Sequence, residues 1–265
     1  MQGRVLVIAG SDSGGGAGIQ ADIKAITVLG GFASTAITAL TAQNTKTISS
    51  IYSLPAEFVT EQMHLVLSDI GADCIKIGML SNKEIINKVA KSLIKYTPEV
   101  PIVIDPVMIS KSGSNLLEKD SSSTLISDLL PLATLITPNI PEAEILCRSN
   151  ITGLEDMRGA CQKLIDSGAK AVLLKGGHLS GHELYDVLVC DEGEFIYKGN
   201  RIDSRNTHGT GCTLASAVSV GIALGKTIPE SVERARLYIR EAILTAPDIG
   251  EGHGPLNHNV KLEKL

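Results

Sequence analysis

Residues 206–213 (NTHGTGCT) combine the residue types most suited to chemistry in this chain. They lead into thirteen uncharged, mostly apolar residues, 213–225, which predict a fully buried helix. The N–H groups that start such a helix open into the protein interior, and the positive end of the helix dipole makes them an anion site. Glycines at 209 and 211 let the backbone approach the anion, and Thr210 stands between them. The same helix end is expected to lower the pKa of the Cys212 thiol. The pattern predicts a centre for phosphoryl transfer.

Polar or glycine-rich residues also follow four short apolar segments that are predicted to be strands. These are residues 10–12 (GSD), 105–107 (DPV), 137–139 (TPN) and 175–178 (KGGH). Because the carboxyl ends of parallel strands meet at one edge of a sheet, we expect these four segments to share one site.

Each of these segments also has an ordinary structural interpretation. Asn139 and Glu142 are typical of a helix start, with Asn as N-cap and Glu in the first turn. Asp105 before a proline is a common turn residue, although it could also hold Mg²⁺ through water. Lys175 beside two glycines fits a phosphate better than a simple turn. A free cysteine is usually a small buried apolar residue, and the flanking glycines favour a functional role for Cys212.

Three familiar motifs are nearly matched and are not supported. Residues 14–18 (GGGAG) suggest a dinucleotide fingerprint, but residues 35–40 lack the acidic residue that would hold a ribose. Residues 221–227 (GIALGKT) have three residues between the glycines where a Walker loop has four, and they lie at the end of a predicted helix. His208 and Cys212 could form a zinc pair, but no further ligand is suitably spaced.

The alternation of short apolar strands with helices predicts an α/β fold, with a mostly parallel sheet between two helical layers. A hairpin at residues 184–197 is expected at the sheet edge. The predicted strands are 4–9, 32–40, 45–54, 74–77, 102–104, 135–136 and 171–174, and the predicted helices are 14–29, 55–67, 82–96, 121–130, 154–167, 213–225 and one starting at 229. No linker or repeat is evident, so we expect one domain over residues 1–265.

Composition limits the class of protein further. A net charge of −5, only 3% aromatic residues and no basic stripe argue against a nucleic-acid partner. No apolar segment reaches the roughly 18 residues that span a bilayer, and the N-terminal apolar run is too short for a signal peptide. Five scattered cysteines, an odd number, indicate a reduced protein, so we expect a cytoplasmic location.

Taken together, these motifs resemble the hydroxymethylpyrimidine/phosphomethylpyrimidine kinases of thiamine biosynthesis, within the ribokinase-like superfamily. The resemblance extends from residue 8 to about 255. The matching stretches are IAGSDSGGGAGIQADIKA (8–25), ITALTAQNT (37–45), KIGML (76–80), DPVMISKSG (105–113), TPNIPEAEIL (137–146), LLKGGH (173–178) and NTHGTGCTLASA (206–217).

The resemblance implies a ribokinase-like three-layer sandwich that uses ATP and Mg²⁺ to phosphorylate an aminopyrimidine alcohol and then its monophosphate. Gly209, Thr210, Gly211 and Cys212 would be catalytic, with Cys212 as general base. The substrate would contact Gln43, Asp22, Met79 and Val107. The nucleotide would contact Asn139, Glu142, Lys175, Thr207 and Arg236, and the metal Asp105 and Glu142. A homodimer is also implied. A pyridoxal kinase, a thiazole-alcohol kinase and a nucleotide-binding protein without turnover are the alternatives.

Overall fold

The computed structural model describes residues 3–109, 113, 116–118, 121–179 and 181–260. Part of the DPVMISKSG stretch, residues 110–112, lies outside the described residues. Strands of the described part are β1 (Arg4–Asp12), β2 (Phe32–Gln43), β3 (Ile48–Ser53), β4 (Cys74–Ile77), β5 (Ile102–Ile104), β6 (Leu135–Ile136), β7 (Val172–Lys175), β8 (Glu183–Cys190) and β9 (Gly193–Asn200).

These strands form one sheet in the order β3-β2-β1-β4-β5-β6-β7-β8-β9. Six adjacent strands, β2, β1, β4, β5, β6 and β7, run parallel to one another. The other three, β3, β8 and β9, pair antiparallel with their neighbours. The predicted hairpin at one edge is therefore confirmed. The sequence predicted two strands in the region of β2 and β3 but not that β3 pairs antiparallel with β2.

Helices cover both faces of the sheet. In the described residues they are α1 (Gly18–Val28), α2 (Ala56–Asp69), α3 (Lys83–Tyr96), α4 (Ser121–Thr124), α5 (Ile140–Cys147), α6 (Leu154–Asp166), α7 (Thr210–Ala223) and α8 (Ile228–Leu244). Within the same residues, no helix combines the length and apolar character needed to cross a membrane.

Two apolar layers result, because alternate residues of each buried strand point to opposite faces. Leu6 and Ile8 of β1 pack with α2, α3, α5 and α6 on one face. Val5, Val7 and Ala9 of the same strand pack with α1, α7 and α8 on the other face. The predicted three-layer α/β architecture is confirmed.

Several predicted boundaries differ from the structure, and three of these differences change the local structure. Helix α1 begins at Gly18 rather than residue 14, because Asp12 accepts hydrogen bonds from the N–H groups of Gly14, Gly16 and Ala17 and holds them in a loop. The segment predicted as a strand at 45–54 is extended only over β3. The helix predicted at 121–130 is α4 followed by a π-helical segment, Leu125–Leu129, and a 3₁₀ turn, Leu130–Leu132.

Helix α7 is the buried helix predicted from its composition. Residues 213–221 are all buried, and the helix packs against α1, α8 and strands β1, β4 and β5. The Walker-like segment, residues 221–227, is the connection between two helices. Helix α7 ends at Ala223, and Thr227 and Glu230 form the capping box of α8. The N-terminal end of α7 therefore points from the core toward the carboxyl edge of the sheet.

Candidate active site

A cavity of about 1140 Å³ opens at the carboxyl edge of the sheet. Its wall includes Gly10, Asp12, Gln43, Lys76, Met79, Asp105, Val107, Asn139, Glu142, Lys175, Thr207, Gly209, Thr210, Gly211, Cys212 and Arg236. The four polar strand ends thus meet in one cavity, as the parallel sheet predicted. Of the residues predicted to form the site, Asp22 alone is absent from this wall.

The first turn of α7 forms one wall of the cavity. Gly209 is its N-cap, with φ +82°, and a Cβ there would stand 1.8 Å from the carbonyl oxygen of Gly16, so only glycine fits. The first i→i−4 bond runs from the Thr213 N–H to the Gly209 carbonyl, so the N–H groups of Gly211 and Cys212 precede the helical ladder. These donors and the helix dipole make the turn an anion site.

The Asp105 carboxylate and the Lys175 ammonium face this helix start. Lys175 Nζ donates to Asp105 Oδ1 at 3.1 Å, and both side chains are largely buried. A Cβ on Gly211 would stand 3.5 Å from Asp105 Oδ2 and from Lys175 Nζ, so the missing side chain brings the backbone close to both charges. Burial alone would lower the pKa of Lys175, but Asp105 and Glu142 raise it above its ordinary value. Lys175 therefore remains an ammonium that can neutralise a phosphate.

Glu142 is both a helix-capping residue and a cavity residue. Its Oε2 accepts from the Asn139 N–H at 2.8 Å while Asn139 Oδ1 accepts from the Glu142 N–H at 2.9 Å. The predicted helix start, with Asn139 as N-cap and Glu142 in the first turn, is confirmed, and the two residues form a capping box. Burial raises the pKa of the Glu142 carboxyl to about 7, even though Lys175 opposes that shift. The positive charge of Lys175 is therefore not enough to offset the cost of burying the Glu142 carboxylate.

Asp105 and Glu142 fit a divalent cation. Mg²⁺ prefers oxygen ligands and is commonly held by one or two carboxylates together with substrate phosphates. A cation would relieve the cost of ionising Glu142, which Lys175 alone does not offset. These two carboxylates would hold Mg²⁺, which supplies charge neutralisation to phosphate oxygens when bound.

Cys212 reaches the cavity at the third helical position of α7. The prediction that its thiol is unusually acidic is wrong. Burial raises the pKa of Cys212 to about 12, and the favourable charge of Lys76 and the Gly18 N–H offset only part of this effect. The carboxylates of Asp22 and Asp105 raise the pKa further. At neutral pH the thiol is protonated.

Asp22 lies behind the cavity wall, and the structure corrects its predicted contact with the substrate. Asp22 is fully buried, and both carboxylate oxygens lie 3.0 Å from Lys76 Nζ. Ser216 Oγ of α7 donates to Asp22 Oδ1 at 2.7 Å. Burial would lower the pKa of Lys76, but Asp22 more than offsets it, so Lys76 stays charged. Asp22 therefore positions Lys76, which reaches the cavity in its place.

The remaining predicted residues lie on the cavity wall. Gln43 ends β2, while Met79 and Val107 follow β4 and β5. Thr207 precedes the α7 turn, and its carbonyl accepts from Thr210 Oγ1 at 2.7 Å. Arg236 of α8 is engaged within the protein: its Nε donates to Asp186 Oδ2 at 2.8 Å, and its guanidinium lies 5.0 Å from the ring centre of Tyr197.

Comparison with known proteins agrees with this geometry. The family profile described as phosphomethylpyrimidine kinase matches residues 12–257. The chain belongs to this family. It is 43% identical over 256 residues to a hydroxymethylpyrimidine/phosphomethylpyrimidine kinase of Rhizobium meliloti, covering 96% of each chain.

Two further similarities bear on this phosphomethylpyrimidine kinase family member. The chain is 48% identical over 264 residues to a thiamine biosynthesis bifunctional protein of Geobacter sulfurreducens, covering all of this chain and 54% of the relative, so it spans about half of that protein. It also resembles the pyridoxal kinase of Staphylococcus aureus in complex with AMP-PCP and pyridoxal, with a TM-score of 0.88, 32% identity, and coverage of 98% and 94%. The fold is ribokinase-like.

The sequence placed the segments that contain Asp12 and His208 near the site but gave Asp12, His208 and Lys76 no role of their own, and all three line the cavity. Lys76 could have been found, because it is the one charged residue in the otherwise apolar segment CIKI. Asp12 and His208 are 196 positions apart, and no local pattern joins them.

Proposed function

We propose that this protein transfers the γ-phosphoryl group of ATP to 4-amino-5-hydroxymethyl-2-methylpyrimidine, and then phosphorylates the monophosphate to the diphosphate, as a step of thiamine biosynthesis. The observation that carries the proposal is the helix start at Gly209–Cys212, which faces Lys175, Asp105 and Glu142 in one cavity. The family to which the chain belongs supports it.

The N–H groups of Gly211 and Cys212, with those of Gly209 and Thr210, are proposed to stabilise charge on the migrating phosphoryl group. Lys175 Nζ would stand 3.5 Å from a Cβ on Gly211, so it is placed to neutralise phosphate oxygens beside the turn. Because these donors are fixed by the fold before substrate binds, little reorganisation is needed during transfer.

Cys212 is proposed to act as the base: its thiol first releases its proton to water, and the thiolate then accepts the proton of the substrate hydroxyl. A thiol with a pKa of about 12 is protonated at neutral pH, so the thiolate is scarce but strongly basic once formed. Lys76 is the charged group that most favours the thiolate. The second transfer uses a phosphate oxygen that is already ionised near neutral pH, so it needs this base less.

Gln43 is proposed to bind the pyrimidine, because its amide both donates and accepts hydrogen bonds, as an aminopyrimidine edge does. Met79 and Val107 supply apolar contact beside it. Asn139, Glu142, Lys175 and Thr207 are proposed to bind ATP with Mg²⁺ at Asp105 and Glu142. Arg236 is also proposed to contact the nucleotide. Only part of its guanidinium is available for that contact, because Nε already donates to Asp186 and one terminal nitrogen to the Tyr197 carbonyl.

A pyridoxal kinase is the second candidate, because the similar S. aureus protein carries that name and was crystallised with pyridoxal. We would incubate the protein with ATP, Mg²⁺ and a panel of hydroxymethyl heterocycles and score products by mass. The proposal expects a monophosphate and a diphosphate of the aminopyrimidine, and a kcat/KM that exceeds the value for pyridoxal. A higher value for pyridoxal would establish the second candidate. ATP binding without any product would identify a nucleotide-binding protein.

A homodimer that pairs through the β2–β3 edge is also proposed. Strand β3 is an edge strand, and Tyr52 is 66% exposed opposite Leu40, which is 44% exposed. Exposed apolar residues at the edge of a sheet are typical of an interface. The cytoplasmic location stays a prediction from the five free cysteines.

A further inference from the structure

The segment of residues 251–260 returns from the end of α8 to the start of α7. The Asn257 N–H donates to the Ala242 carbonyl at 3.0 Å, which fixes the segment to α8. The Gly254 carbonyl accepts from the His208 N–H at 3.1 Å, which fixes the segment to the loop before the anion site. The 251–260 segment thus connects the last described helix with the loop that leads into α7.

His258 is a buried polar residue of the 251–260 segment. It is 7% exposed, and its Nε2 lies 3.0 Å from Oγ1 of Thr213, which is fully buried. The Tyr238 hydroxyl of α8 donates to the His258 carbonyl at 2.8 Å, so the backbone is held as well as the ring. Burial lowers the pKa of His258 to about 4, so the imidazole is neutral and has one nitrogen that donates and one that accepts. A hydroxyl does both, so Thr213 can pair with His258 in either tautomer.

Thr213 closes the turn that carries the anion site. Its N–H donates to the Gly209 carbonyl at 2.9 Å, which is the first i→i−4 bond of α7, while its hydroxyl pairs with His258. One residue therefore ties the backbone of the turn to a segment outside the helix. Neither Thr213 nor His258 is among the described residues that line the cavity, so the pair acts on the turn and not on the substrate.

The turn needs support from outside because its own residues restrict it little. Gly209 and Gly211 have no side chain, so their backbone has more conformational freedom than that of other residues. Donors stabilise a transition state best when they are fixed before the charge develops. The 251–260 segment holds the chain at His208, before the turn, and at Thr213, after it.

We propose that His258 is a positioning residue that holds Thr213, and with it the first turn of α7, so that the N–H groups of Gly211 and Cys212 are fixed for the migrating phosphoryl group. The inference rests on the proposed function and adds to it a contribution from outside the cavity.

Loss of this support differs from loss of the base in its effect on the two transfers. The same N–H groups serve both transfers, so both should slow by a similar factor, whereas loss of Cys212 should slow mainly the first. The contacts proposed for the pyrimidine come from Gln43, Met79 and Val107, which lie at the ends of other strands. The KM for the pyrimidine should therefore change little.

The test begins with Thr213→Val, which removes the hydroxyl and nearly keeps the shape of the side chain. Single-turnover rates from the alcohol and from the monophosphate, at saturating ATP and Mg²⁺, should both fall by about 10- to 100-fold, as expected for misplaced groups. The KM for the pyrimidine should change by less than about threefold. Thr213→Ser keeps the hydroxyl and should retain most of both rates.

His258→Leu removes the other partner and should reproduce the loss. Adding Thr213→Val to His258→Leu should cause little further loss, because both substitutions remove the same interaction. If Thr213→Val and His258→Leu keep both rates, the inference is overturned. A loss confined to the first transfer would also overturn it, because the variants would then act through the base at Cys212.

The matched control is Ser219→Ala. Ser219 is also a buried hydroxyl of α7, but its Oγ donates to the Ala215 carbonyl at 2.7 Å within the helix. Both rates should stay within about twofold of those of the unaltered protein. If Ser219→Ala slows the transfers as much as Thr213→Val does, the stability of α7 is responsible and His258 has no positioning role.

Hydrogen exchange measures the same support without any substrate. The Thr213 N–H is bonded to Gly209, and its exchange should be faster by about tenfold or more in His258→Leu but unchanged in Ser219→Ala. Unchanged exchange in His258→Leu would overturn the inference whatever the protein phosphorylates. If the unaltered protein does not phosphorylate the aminopyrimidine alcohol, the proposed function fails, and the exchange rate still decides whether His258 holds the turn.

Discussion

Cys212 combines a position suited to catalysis with a thiol that the protein keeps protonated. Removing it in Cys212→Ala should slow the first phosphoryl transfer by about 10²- to 10⁴-fold, the usual contribution of a general base. The second transfer should slow much less, because its attacking oxygen is already ionised. Single-turnover measurements that start from the alcohol or from the monophosphate separate the two steps. Equal losses in both would indicate that Cys212 only fills space beside the anion site.

The raised pKa of Glu142 has a consequence for stability. A carboxyl with a pKa near 4.5 in the unfolded chain and about 7 in the folded protein binds its proton more tightly when folded. Its contribution to stability is therefore complete below about pH 4.5 and is lost as the pH rises through 7. Glu142→Gln cannot ionise, yet it keeps an oxygen for the Asn139 N–H.

We therefore expect Glu142→Gln to raise the free energy of unfolding at pH 8 by up to about 3 kcal/mol. The gain should shrink steadily as the pH falls toward 4.5. Urea unfolding of both proteins at pH 5, 6, 7 and 8, without nucleotide or Mg²⁺, measures this difference. A constant difference at every pH would contradict the raised pKa.

At the scale of elements, helix α7 must lie close to its neighbours to bring its first turn to the cavity. A Cβ on Gly221 would stand 2.6 Å from Ser231 Oγ of α8, so this glycine sets the distance between the two helices. Gly221→Ala forces that contact apart and should destabilise the protein by about 1–3 kcal/mol.

The matched control for Gly221→Ala is Gly159→Ala in α6, where a Cβ would meet nothing within 4 Å. There the same substitution should stabilise the protein by roughly 0.5–1 kcal/mol, because alanine is the better helix former. Chemical denaturation of the two variants checks both signs. A stabilising effect at Gly221 would show that α7 and α8 can separate without cost.

At the scale of the whole molecule, the exposed apolar pair on the β2–β3 edge is expected to be covered by a second copy. Tyr52→Glu places a charge there and should convert the proposed homodimer to a monomer, as measured by light scattering during size exclusion. Leu244→Glu, at the far end of α8 and 53% exposed, is the control and should leave the dimer intact. A monomeric unaltered protein at micromolar concentration would contradict the proposed assembly.

The sequence by itself determined the order of the elements and the position of the glycine-rich helix start. Alternating apolar segments imply a parallel sheet, the uncharged segment after residue 212 can only be stable when buried, and Gly209 marks the turn that precedes it. These are consequences of local composition, and the structure confirms them.

Only the tertiary structure decided the state of the groups that meet in the cavity. The acidity expected for Cys212 considered its own helix end, whereas burial and the carboxylates of Asp22 and Asp105 act in the opposite direction and are stronger. Asp22 was expected at the substrate because it lies in a matching motif, but its ion pair with Lys76 turns it away. Electrostatic interactions depend on distance in space and on solvent exposure, and neither quantity can be obtained from the spacing of residues along the chain.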